Sequence, residues 1–104
     1  MLPKNEKNFQ DLKKLSKISV NEIIEAYAND MVKEYVIENA FNVHRDGEND
    51  ITHIVFSQGG PYVYLDFDEQ PGLIIAKDFD TKAHSAIPLE TWIEIRNELE
   101  ETYE

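Results

Sequence analysis

His44 and His53 flank one turn-rich stretch, Asp46-Gly47-Glu48-Asn49-Asp50, so a hairpin there brings two imidazoles close to Asp46 or Asp50. Nitrogen and oxygen donors in that mixture suit a divalent transition metal. The spacing matches neither H-x-x-x-H nor H-E-x-x-H, and Gly47 stands in the wrong place for a calcium loop. The expectation is ordinary strand histidines, with no bound metal and no cofactor. Nucleophilic catalysis has no better footing. Ser16, Ser19, Ser57 and Ser85 lie in no G-x-S-x-G turn. With no cysteine in the chain, thiol catalysis, zinc–thiolate sites and disulfides are all ruled out.

Carboxylates are the abundant chemical resource. Two Asp-Phe-Asp triplets, at 66–68 and 78–80, carry aspartates two residues apart. In a strand such residues share a face, so each pair suits a divalent cation or a basic partner. Asp66 and Asp68 close one strand and Asp78 and Asp80 follow the next, which places the pairs at opposite ends of one hairpin. Acid–base catalysis by paired carboxylates needs a pocket that raises one pKa. A chain of 104 residues supplies little wall for one. The protein is therefore expected not to be an enzyme.

Charge sharpens this reading. The chain holds 21 acidic and 10 basic residues, a net of −11. Residues 1–17 are locally basic through Lys4, Lys7, Lys13, Lys14 and Lys17. The remainder carries 5 basic against 19 acidic groups, a net of −14. Such a body repels nucleic acid, whose binding depends on neutralising phosphates with cations. It attracts basic protein surfaces and speeds encounter with them at low salt. No run of about 18 apolar residues is present, and the N-terminus has no apolar signal core, so a cytoplasmic location is expected.

These residues must be positioned by a single small domain. Residues 1–8 are polar and expected to fray, leaving 9–104 as the domain. Phe9, Leu12 and Leu15 predict a short helix. Ser19-Val20-Asn21-Glu22 reads as a capping box, with Ser19 opening a second helix from 20 to about 37. Tyr35-Val36-Ile37 also suits a strand, so 31–40 is left open between the two. Period-two alternation at 41–44, 51–57, 62–67 and 73–77, with a short strand over 82–87, predicts four or five strands. Their connections are too short for crossover helices, so neighbours pair antiparallel as a meander. Pro88 then opens a helix to about 102, with Leu89, Trp92, Ile93, Arg96, Leu99 and Tyr103 along one face. The fold class is α+β: an antiparallel four- to five-stranded meander with N-terminal and C-terminal helices packed on one face.

Strand 62–67 separates core from surface. Val63, Leu65 and Phe67 share one side and belong under the helices, with Trp92 packed on them. Tyr62, Tyr64 and Asp66 then face out. Beside them, Ile54 and Phe56 turn inward and His53 and Val55 outward. A tyrosine patch with a charged rim resembles a protein-binding surface.

The function expected is that of a small acidic binding protein that occupies a basic, nucleic-acid-binding surface of another protein, such as a nuclease. Glu48, Asp50, Asp66, Asp68, Glu69, Asp78 and Asp80 would give steering, and Tyr62 and Tyr64 the desolvated contact. Phage-encoded inhibitors, antitoxins and immunity proteins commonly work this way; the analogy is one of composition. The alternatives are a structural or adaptor domain whose acidity only aids solubility, and a small metal-binding enzyme built on His44, His53 and nearby carboxylates.

Overall fold

Leu12, Ser16, Val20 and Ile23 recur every three or four residues and are all buried, forming one stripe on one uninterrupted helix, α1 (Lys4–Ala28). The computed structural model describes residues 4–103. Residues 1–3, part of the stretch expected to fray, lie outside the described residues. Ser19 is mid-helix and caps nothing, which corrects the two-helix reading of 9–28. No glycine or proline falls between Leu15 and Val20, so the backbone has no reason to stop. The break comes later, at Asn29-Asp30, where Asp30 adopts a left-handed φ of 56°. Asp tolerates that conformation better than most residues. Helix α2 (Val32–Asn39) follows and settles 31–40 as helical, with Val32 and Val36 buried.

Five strands then run β1 (Asn42–Arg45), β2 (Ile51–Gln58), β3 (Tyr62–Asp66), β4 (Leu73–Asp78) and β5 (Thr81–Ala86), in spatial order β1-β2-β3-β4-β5. Every neighbouring pair is antiparallel, so the sheet is a meander. In the first turn, Asp46 Oδ1 accepts the amides of Glu48 and Asp50 at 2.8 and 3.0 Å. Oδ1 of that carboxylate serves the backbone, which makes Asp46 a turn former. A bulge in β2 between Val55 and Ser57 lets Phe56 lean toward the helices, where its ring meets Tyr35 of α2 at 6.3 Å.

Helices α1, α2 and α3 (Leu89–Thr102) share one core with the inner side of the sheet. Val63, Leu65 and Phe67 are buried in it, as β3's alternation requires. Helix α1 lies along β4 and β5. There Ser16 Oγ donates to the Lys13 carbonyl at 2.8 Å, so its one hydroxyl proton is used. Ser85 therefore supplies the proton of the buried 2.7 Å Ser16–Ser85 bond. The Lys13 ammonium donates to the His84 carbonyl on β5, which blunts part of that open edge. On α3 the buried stripe is Trp92, Ile95 and Leu99. Leu89 and Ile93 stay half exposed, so the face expected from them is rotated. Trp92 is fully buried, edge-on to Phe67 at 5.1 Å, and its indole lies flat against Gly72. A Cβ at Gly72 would stand 2.7 Å from the ring.

Two stability changes follow from this packing. Gly72→Ala should cost about 1–3 kcal/mol, because the added methyl meets an indole held on all sides. Ser19→Ala should leave stability unchanged or raise it by ~0.5 kcal/mol, since alanine is the better interior helix residue. A helix cap would instead lose about 0.5–2 kcal/mol. Urea unfolding of both variants reads the two signs.

Candidate functional site

The strand parity that buries Val63 and Leu65 puts Tyr62, Tyr64 and Asp66 on the outer side of the sheet. Register fixes their neighbours. Tyr64 stands between Val55 of β2 and Ile75 of β4, Asp66 opposite His53, and Tyr62 opposite Lys77. Val55 was expected to lie open on this face. It is fully buried, and Ile75 nearly so, although neither belongs to the core beneath the helices. Large flanking side chains on a twisted sheet shield these two from water, giving the outer face a small dry floor.

Above this floor runs an aromatic ladder. The His44 and His53 rings stack at 4.2 Å with 13° between their planes. His53 meets Tyr64 at 5.3 Å, and Tyr64 meets Tyr62 at 5.3 Å, both tilted. The hairpin thus brings the two histidines together as their spacing requires. Asp46 is committed to its turn, and among the described residues no three His, Asp or Glu side chains converge as metal ligands.

A groove of about 660 Å³ opens over the ladder. His53, Tyr62, Tyr64, Asp66, Asp68 and Asp78 all line it, with Lys77 and Phe79. The two Asp-Phe-Asp triplets sit at opposite ends of the β3–β4 hairpin, yet both ends open onto this one groove. Asp66 and Asp68 do not continue as extended strand: the Asp68 amide donates to Asp66 Oδ1 at 2.8 Å and the chain turns there. Glu69 and Asp80 are exposed in the adjoining turns and do not line the groove. Glu48 and Asp50 are exposed on the β1–β2 turn, where Asp50 borders a separate recess with Arg45 and Glu100. Arg45 ties that turn to the end of α3 by donating to the carbonyls of Asn49 and Tyr103. The nine expected binding residues therefore divide into five around the groove and four on turns.

Sequence reasoning missed Phe79. Its ring is 89% exposed and its backbone holds a left-handed φ of 51°. For a bulky residue that conformation costs of order 1–3 kcal/mol. The available signal was an aromatic between two turn aspartates, which drew attention only for its carboxylates. Also missed was a second groove of about 360 Å³ between α1 and α2, where Glu22, Glu25, Glu34 and Glu38 surround Tyr35 and Met31. The Tyr35 hydroxyl donates to Glu22 Oε2 at 2.8 Å. Burial, then the hydrogen bond and charge of Glu22, push the phenol far above its ordinary range.

On the sheet face, burial raises the Tyr64 pKa, helped by the Asp66 charge and by Tyr62. Burial also lowers that of His53, with His44 adding to the effect and Asp66 and Asp68 opposing it. Both shifts favour the uncharged forms of Tyr64 and His53, and the carboxylates stand at the rim. No family model matches the chain, and neither a curated protein nor a solved structure does.

The His53 shift carries a stability consequence. Its folded-state pKa lies below 6.5, so below that pH the unfolded chain binds the extra proton first. Stability is complete above the unfolded pKa and falls as pH drops through it. Between pH 7.5 and 5.5 the urea midpoint should decrease, and His53→Gln should flatten that dependence.

Proposed function

We propose that this chain is a non-enzymatic binding protein whose outer sheet face occupies a basic surface of another protein, in the manner of a small inhibitor. The surface it suits is of the kind nucleic-acid-handling enzymes use to hold phosphates, and a cysteine-free chain is compatible with the cytoplasm as the place of encounter. The observation that carries this reading is the groove itself: aromatic rings over a dry aliphatic floor, bordered by Asp66, Asp68 and Asp78.

The parts divide the work. Rim carboxylates in water each contribute only ~0–1 kcal/mol when paired, but they steer approach and set register. Aromatic side chains that become desolvated at the centre supply ~2 kcal/mol or more each. Tyr62 and Tyr64 are half-buried already and pre-ordered by their mutual contact, so little rotamer freedom remains to be lost. A net charge of −14 beyond residue 17 extends the attraction past the groove and opposes direct contact with phosphate backbones.

The test is kinetic, on a partner captured from lysate at low salt. Charge reversal at Asp68 and Asp78 leaves the Asp66 turn bond in place; it should slow association about tenfold and flatten its salt dependence. Tyr64→Ala should chiefly speed dissociation. The chain alone should not bind DNA or RNA at ~150 mM salt. Direct nucleic-acid binding, or association indifferent to the reversed charges, would replace this reading with that of a structural domain whose acidity serves solubility.

A further inference from the structure

A basic partner offers lysine and arginine, and the groove does not treat them alike. We propose that it takes an arginine-bearing segment: a guanidinium laid on the Tyr64 ring and paired with Asp66 and Asp68 at one end, with Phe79 packing on the segment at the other. This rests on the basic-partner reading and adds the chemistry of the contact.

An open field of carboxylates attracts either cation. An aromatic surface over a dry floor selects between them, because an ammonium must give up tightly held water to lie there. A guanidinium is planar and weakly hydrated. It stacks on rings while its edge keeps donors for a carboxylate, often two at once. Tyr62 and Tyr64 are tilted by 56° to each other, so they present two differently directed ring surfaces within one recess. Lys77 stands opposite Tyr62, next to Asp78, and supplies a cation at that end. Asp66 lies four residues along β3 from Tyr62, about 13 Å away, and Asp68 sits in the turn just beyond it. Asp66 stands opposite His53, whose charged form burial disfavours. The end that lacks its own cation is the end where a guanidinium is missing.

Phe79 holds a strained left-handed backbone and leaves nearly its whole ring in water. Glycine or asparagine would form the same turn without that cost. The ring belongs neither to the core nor to the hydrophobics packed against it, so folding gains nothing visible from it. It borders the groove, where a bound segment would cover it. Strain without a folding return is the mark of a residue kept for contact with something else.

The experiment uses the whole chain, ¹⁵N-labelled, titrated at ~150 mM salt with oligo-arginine and with oligo-lysine of equal length. Oligo-arginine should shift the amides of Tyr62, Tyr64, Asp66 and Phe79 and bind at least tenfold more tightly than oligo-lysine. Asp66→Asn with Asp68→Asn keeps the acceptor for the Asp68 amide and should weaken oligo-arginine about tenfold. Phe79→Gly should weaken it severalfold while the melting temperature holds or rises. Equal affinity for the two peptides in the groove would overturn the arginine inference and leave the basic-partner reading standing. A melting temperature lowered by Phe79→Gly would show the ring to be structural and remove it from the site. Shifts confined to the glutamates between α1 and α2, or none with either peptide, would overturn both readings.

Discussion

Strand β3 cannot bury Val63, Leu65 and Phe67 without turning Tyr62, Tyr64 and Asp66 to the other side of the sheet. A slip of one residue would drive a carboxylate into the core and expose three large apolar side chains. Three helices hold that parity from beneath. The indole of Trp92 against Phe67 and Gly72 fastens the β3–β4 turn to α3, and the Ser16–Ser85 pair fastens β5 to α1. Core and candidate site are therefore two sides of one strand, and the energy that fixes the first also orders the second. A face built in this way is ordered by the core packing beneath it, which would lower the entropy lost on any contact.

The outer face differs from a plain solvated sheet because it has an interior of its own. Val55 and Ile75 flank Tyr64 in register and are shut off from water, although the main core lies on the opposite side. Rings that cover buried aliphatics cannot swing freely, so the ladder from His44 to Tyr62 is packed as well as stacked. The carboxylates stay out at the rim, where water still reaches them. This separation avoids burying charge without a partner.

Much of the fold was legible because its signals are local and mutually consistent. Dense turn residues at 46–50, 58–61 and 68–72 bracket alternating strands, and those strands lie where the alternation puts them. The helices were read less well. The Ser19-to-Glu22 pattern mimics a cap, but the apolar stripe from Leu12 to Ile23 runs straight through it, and burial of that stripe overrides the local signal. On α3, apolar residues occupy two adjoining stripes, and only the docking of Trp92 decides between them. For the site, parity alone revealed Tyr62, Tyr64 and Asp66. The burial of Val55 depends on neighbours from three strands and on twist, which no window of sequence contains. Phe79 was hidden for a different reason: its importance lies in backbone strain and exposure, and both are properties of the folded chain.

The central claim is that the sheet face, and not the helical side, is where this protein meets a partner. Amide hydrogen exchange on the chain, free and in its captured complex, measures this most directly. The account predicts slowed exchange in the β2–β3, β3–β4 and β4–β5 turns that border the groove, with α1 and α2 unchanged. Protection confined to the groove between α1 and α2, with the sheet-face turns exchanging as in the free chain, would contradict it.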